Sequence, residues 1–323
     1  MFRISLILLL FCGQAYAYET LLTVAKDGTA QYTSIQEAIN DTKTFPWEEI
    51  TIKVKNGVYE EKVNVYSWNT RVTIIGESRD NTIIRFSDHF NKINHGRNST
   101  FHTYTMRVAG NDFTAVNLTI ENTAGPVGQA VALHVEADRA AFYNVSLKGF
   151  QDTLYVAGEG HRSYFENCYV EGSVDFIFGG GTAYFNHCQI QSLRSDSYVT
   201  AASTEQNQPY GLVFNDCQFT APDDVSGVYL GRPWRHHANT LITNSYLGKH
   251  IHPAGWHNWN SEEKEHTVNY EEIGNYGPGA AIAQRVAWAK TTADAPLNPI
   301  TPSTILGNWQ PQAAAPGTSR LRR

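Results

Sequence analysis

An all-β solenoid of the parallel β-helix type is the fold class this sequence predicts, and three observations predict it. One short pattern recurs: Val116-Asn117-Leu118-Thr119-Ile120, Tyr143-Asn144-Val145-Ser146-Leu147, Glu166-Asn167-Cys168-Tyr169-Val170, Asn186-His187-Cys188-Gln189-Ile190, Asn215-Asp216-Cys217-Gln218-Phe219 and Thr243-Asn244-Ser245-Tyr246-Leu247. Its central positions, Leu118, Val145, Cys168, Cys188, Cys217 and Ser245, lie 20 to 29 residues apart. Short alternating strands at that period mark coils that bury their apolar faces only by stacking on one another. Second, the segments between are also short, β-like and bounded by Gly, Asn or Asp. Third, a single segment carries a good helix start, Ser34-x-x-Glu37. A leucine-rich repeat shares the period, but the required Leu spacing is missing.

In chain order, Arg3, the apolar run from Ile4 to Phe11 and Ala15-Tyr16-Ala17 come first. A basic start, an apolar core and a small-x-small site make residues 1–17 an expected secretory signal, cleaved on export to the periplasm or the outside. The run is too short for a membrane anchor, which needs roughly 20 apolar residues. In the helix that follows, Ile35, Ala38 and Ile39 form one apolar face, suited to closing an open end of the solenoid. No linker-like stretch divides residues 18–310, which are expected to form one β-helix domain. Residues 311–323, rich in Ala, Pro and Arg, are expected to be a flexible tail. Asn117, Asn144, Asn167, His187, Asp216 and Asn244 stack as a polar ladder at a turn, where such side chains satisfy backbone groups.

The formal charge of −6 and the lack of a long basic run argue against nucleic acid or an anionic membrane as the main partner. A monomer is expected. Cys12 leaves with the signal, so Cys168, Cys188 and Cys217 remain. Equivalent residues on adjacent coils lie roughly 4.8 Å apart, within disulfide reach. Cys168 with Cys188, or Cys188 with Cys217, can therefore bridge. The alternative is a ladder of small buried thiols. Export favours a Cys168–Cys188 disulfide.

The same register brings two acidic residues together. Asp152, in Gly149-Phe150-Gln151-Asp152-Thr153-Leu154, follows Asn144 by as many residues as Asp175, in Val174-Asp175-Phe176-Ile177-Phe178-Gly179, follows Asn167. The two carboxylates should face each other on successive coils. Two so close do not both ionise easily, so one pKa rises. One Asp then holds a proton to donate while its neighbour stays charged and nucleophilic. Gln129, placed before Asn144 as Asp152 is before Asn167, extends the ladder by one coil. Its carboxamide, and that of Gln151, can donate to developing negative charge. Strict strand alternation sends Gln151 and Asp152 to opposite faces, so both serve one site only if the backbone bends there. In Leu230-Gly231-Arg232-Pro233-Trp234, a guanidinium near Asp175 would keep that carboxylate ionised and aim it bidentately. Trp234 suits the apolar face of a sugar ring. This constellation points to a hydrolase.

These residues also carry a resemblance. Val24-Ala25-Lys26-Asp27-Gly28, Gly57-x-Tyr59-x-Glu61, Gln129-Ala130-Val131-Ala132-Leu133, Gln151-Asp152-Thr153-Leu154, Asp175-Phe176-Ile177-Phe178-Gly179 and Leu230-Gly231-Arg232-Pro233-Trp234 are similar to the motifs of the pectin methylesterase (pectinesterase) family. The resemblance implies a right-handed parallel β-helix that hydrolyses methyl esters of homogalacturonan, with methyl-esterified pectin as partner and no cofactor or metal. It makes Asp175 the nucleophile and Asp152 the general acid, then base. It makes Gln129 and Gln151 the oxyanion hole and Arg232 the group that holds Asp175. Trp234, Tyr155 and Phe178 resemble the lining of a sugar groove, and Cys168 and Cys188 resemble a bridged pair. Ala157-Gly158-Glu159-Gly160-His161 makes the stretch between the two aspartates slightly longer than in plant members.

Rival readings keep part of this machinery: an acyl thioesterase on the same fold, a catalytically silent carbohydrate-binding β-helix, and a glycosidase, since paired carboxylates also serve glycosidic bonds. His236, His237, His250 and His252 lack a carboxylate or Cys that completes a metal pattern and read as exposed loop or groove residues. Asn98-Ser99-Thr100, Asn117-Leu118-Thr119 and Asn144-Val145-Ser146 match glycosylation sequons. Asn117 and Asn144 fall on the polar ladder, where a buried side chain cannot be modified.

Overall fold

The structure, a computed structural model, describes residues 18–296 and 298–312. The expected signal, residues 1–17, and nearly all of the expected tail lie outside the described residues. Among those described, short strands wind into three parallel sheets of 11, 7 and 8 strands. In each sheet a strand pairs with its counterpart from the next coil, as in Ala140–Tyr143 on Arg162–Glu166 and then Thr182–Asn186. This is a parallel β-helix.

The coil interior shows why the repeats stack. Phe142, Phe165, Phe185 and Phe214 occupy one register position and are all fully buried. Their rings stack nearly flat at 4.7, 4.6 and 4.6 Å, close to the roughly 4.8 Å that strand pairing imposes. The polar ladder forms as expected. Asn117, Asn144, Asn167, His187, Asp216 and Asn244 all take left-handed backbone, with φ between 51° and 55°. Asn and Asp tolerate that conformation best after Gly. The Asn144 amide donates to Asn117 Oδ1 at 2.8 Å, but both sequon asparagines on the ladder are half-buried and not buried as expected, while Asn98 is exposed.

The disulfide expected between Cys168 and Cys188 is not formed. Cys168, Cys188 and Cys217 are free and buried. The reason lies in the turn. Cys188 Sγ accepts from the Cys168 N–H at 3.4 Å and donates to Asn186 O at 3.3 Å. One coil beyond Cys217, Ser245 Oγ does the same, accepting from Cys217 N–H at 3.0 Å and donating to Thr243 O at 2.8 Å. Each thiol thus stands in for a hydroxyl that satisfies its turn. Burial pushes the Cys168 and Cys188 thiols well above their usual range.

Helix Ile35–Asn40 closes the first coils, with Ile35, Ala38 and Ile39 buried in the core. Ser34 caps it, and Glu61 accepts from the Ile35 and Gln36 N–H groups at 2.9 and 3.0 Å. In the same motif Tyr59 is buried and its hydroxyl donates to Lys55 O. The Gly57-x-Tyr59-x-Glu61 motif is therefore architectural. At the other end, Val286, Trp288 and Ala289 pack against the core. Besides a one-turn helix at Phe90–Ile93, a third helix, Pro302–Leu306, was not anticipated. Thr301 caps it, Pro302 opens it, and Ile305 and Leu306 bury against Tyr164, Tyr184, Val213 and Leu241 outside the long sheet.

Candidate active site

The seven-stranded sheet positions the site. Leu154–Val156 pairs with Val174–Gly179, with Leu154 opposite Ile177, and the Asp152 N–H donates to Val174 O at 3.1 Å. Asp152 and Asp175 are therefore equivalents on successive coils, as their spacing predicts. Both are in left-handed backbone, with φ of 66° and 48°. This is the bend that lets Gln151 and Asp152 escape strict alternation. A bulge follows Asp175, where the pairing with Tyr198–Ala202 shifts register between Val174 and Ile177. Bulges re-aim side chains at such places.

Gln129 is placed differently from the expectation. Its register partner is Gln151, not Asp152. Leu133 pairs with Leu154, so one extra residue lies between Gln129 and Leu133. The slack is taken up where the Ala132 and Leu133 N–H groups share Thr153 O. The two carboxamides thus sit side by side on neighbouring coils, both half-buried. Gln151 also borders a cleft with Pro126, Gly128, Ser173 and Arg194.

Arg232 lies two coils beyond Asp175 and reaches back across the strand Tyr198–Ala202. Its Nε donates to Asp175 Oδ1 at 2.9 Å and its Nη2 to Oδ2 at 2.7 Å. The preceding Gly231 is required by space, since a Cβ there would stand 1.9 Å from Thr200 Oγ1. Gly179, at φ 126°, leaves 1.9 Å between a hypothetical Cβ and Val156 O. The glycines of both motifs are thus set by packing of one coil on the next.

Asp152 is 8% and Asp175 6% exposed, and their surroundings separate them. Burial, then the Asp175 charge, pushes Asp152 well above the usual carboxylate range, against a smaller pull from Arg232. Burial also raises Asp175, but Arg232 opposes it through hydrogen bonds and charge. These surroundings favour the proton on Asp152 and the charge on the Arg-held Asp175.

The expected groove residues are brought together. Tyr155 stacks on Phe178 at 4.7 Å and Phe178 meets Trp234 at 5.9 Å. Phe101 and Tyr104 join this apolar wall from the segment that includes the 3-10 turn Gly96–His102. His134 lies edge-on to Tyr155 at 4.7 Å, and burial pulls its pKa down to about 3, so it is a neutral wall residue. Sequence reading missed these three, and it missed Tyr198 and Trp259, whose rings each lie 3.8 Å from the Arg232 guanidinium carbon. The one signal for Trp259 is a second Trp in a polar loop, Trp256-His257-Asn258-Trp259. Of the four histidines read as exposed, His250 is buried and held neutral by burial, at about 4. No group of three or more potential metal ligands occurs among the described residues.

Fold and site together define a parallel β-helix that carries a buried pair of aspartates on successive coils. The chain belongs to the pectinesterase family, whose model matches residues 21–306. It is 39% identical over 311 residues to "Probable pectinesterase/pectinesterase inhibitor 58" of Arabidopsis thaliana, covering 91% of this chain and 54% of that protein. It thus spans about half the length of that relative. Among solved structures, pectin methylesterase from carrot superposes with a TM-score of 0.79 at 34% identity, covering 84% of this chain and 88% of that one. A pectin methylesterase in complex with a hexasaccharide gives 0.76 at 30% identity, covering 91% and 98%.

Proposed function

We propose that this protein hydrolyses the methyl esters of homogalacturonan in pectin, releasing methanol. The observation that carries the reading is the two-pronged Arg232–Asp175 contact beside the buried Asp152. A carboxylate oxygen of Asp175 attacks the ester carbonyl, and Gln129 and Gln151 donate to the oxygen that gains charge. One such donor is commonly worth about 3 kcal/mol. The tetrahedral intermediate collapses, Asp152 gives its proton to the departing methoxide, and methanol leaves an acyl anhydride on Asp175. Asp152, now a carboxylate, takes a proton from water. The resulting hydroxide attacks the galacturonyl carbonyl, restoring the Asp175 carboxylate and the protonated Asp152.

The apolar wall of Tyr155, Phe178 and Trp234 would seat the sugar rings and the methyl group. The relative solved with a hexasaccharide supports an oligosaccharide-length groove. The basic, apolar and small-residue pattern of residues 1–17 supports export with cleavage there. The covered first coil, which hides a strand edge, supports a monomer. Among the described residues no helix is long and apolar enough to cross a membrane.

The test is methanol release from highly esterified pectin, run beside a reducing-end assay. Methanol without new reducing ends is the expected result. Reducing ends alone would mean glycosidic cleavage, and neither product from folded protein would point to another acyl substrate or a binding role.

A further inference from the structure

We propose that Tyr198 and Trp259 are positioning residues of this reaction, clamping the two ring-facing sides of the Arg232 guanidinium so that its edge meets Asp175 in one orientation. The inference rests on the proposed role of Asp175 as nucleophile and adds the groups that make Arg232 able to serve it.

The need for a clamp follows from the geometry. Arg232 is a long side chain that crosses an intervening coil before it reaches Asp175, and such a side chain has many rotamers to lose. Two parallel N–H···O bonds form only when guanidinium and carboxylate are coplanar. Tyr198 and Trp259 come from different parts of the fold, the strand Tyr198–Ala202 and the loop that follows Trp256. Each ring places its centre 3.8 Å from the guanidinium carbon, well inside cation–π range. Rings that close also keep water from the charge, so its field at Asp175 is less screened.

Both jaws are themselves held. Tyr229 stacks on Tyr198 at 5.5 Å, and His252 stacks on Tyr229 at 4.3 Å. His257 sits edge-on to both tyrosines, at 5.5 and 5.3 Å. The same His257 accepts the Trp259 N–H at Nδ1, at 3.0 Å. Lys264 lies 5.7 Å from the Trp259 ring centre and donates to Pro233 O at 3.0 Å, tying the loop to the residue after Arg232. His257 thus links one jaw to the other.

The experiment is steady-state methanol release with Tyr198→Leu, Trp259→Leu, Tyr198→Phe and Trp259→Phe, each in the parent and in an Arg232→Lys background, with Tm recorded for every variant. A lysine ammonium has no plane to clamp. The expected result is a fall in kcat of about tenfold for each Leu variant, with KM within about twofold and most activity restored by Phe. In the Arg232→Lys background the same Leu change should cost less than about twofold, the non-additivity of groups that act through one another. Equal fold losses in both backgrounds would overturn the clamp, as would an effect confined to KM, which would make the rings substrate contacts. An Arg232→Lys enzyme as fast as the parent would overturn the Arg232–Asp175 reading itself and the clamp with it. Should Tyr198→Leu fail to fold, the Trp259 series, in a loop outside the sheets, decides the matter alone.

Discussion

Asp152 and Asp175 carry the same functional group, and their neighbours alone give them different electrostatic surroundings. Arg232 spends two hydrogen bonds on Asp175 and none on Asp152, which leaves burial to dominate at Asp152. This has a consequence for stability. The folded-state pKa of Asp152 lies above the ordinary 3.8. Between that value and the raised one, the folded protein keeps a proton that the unfolded chain has released. Stability therefore falls as pH rises through this window and is free of the cost below it. Asp152→Asn should raise Tm at pH 7 while abolishing sustained turnover, and its advantage should vanish toward about pH 4. A thermal-melt series across pH reads both; equal Tm values at all pH would mean that Asp152 is ionised in the fold. Asp175→Asn should cut kcat by about a thousandfold or more, with far-UV circular dichroism unchanged.

At the scale of elements, one coil fits the next through identical residues at identical places. The Phe142–Phe165–Phe185–Phe214 stack is the clearest case. Phe185 has a ring against each face, at 4.6 Å on both sides, so removing it leaves a cavity that neither neighbour can fill without losing its own partner. Phe185→Ala should cost about 3–5 kcal/mol in urea denaturation. A loss below about 1 kcal/mol would mean that the coils close up around the gap. The cysteine ladder makes a second prediction at this scale. Alkylation without reductant should modify no cysteine in the folded protein and Cys168, Cys188 and Cys217 together once it is denatured. A pair that resists alkylation until reduced would restore the disulfide.

The whole molecule bears a formal charge of −6, and its proposed product is a polyanion whose charge grows with each ester removed. Substrate and enzyme therefore repel increasingly as the reaction proceeds, over distances that salt shortens to about 8 Å at physiological ionic strength. KM for partly de-esterified pectin should fall as salt rises to about 0.15 M, while KM for nearly fully esterified pectin changes little. The opposite trend would place a local basic surface, and not the net charge, in control of binding.

Much of this was legible in the chain. The period of the Asn-centred repeats implied stacked coils, and equal offsets from Asn144 and Asn167 put Asp152 opposite Asp175, because a parallel solenoid turns sequence spacing directly into spatial register. Helix Ile35–Asn40 was legible for the same local reason, a cap followed by an apolar face. The sequence could not reveal where that register slips. The bulge that pairs Gln129 with Gln151 conserves every residue type and changes only which backbone groups meet. Nor could it tell a bridged cysteine pair from thiols that serve as hydroxyls in their turns, since both need the same spacing. Tyr198 and Trp259 reach Arg232 from separate coils and a loop, with no shared motif. Local chemistry and period were therefore written in the chain, while the partners of Arg232, the upward pKa shift of Asp152 and the state of the thiols were decided only when distant coils closed around them.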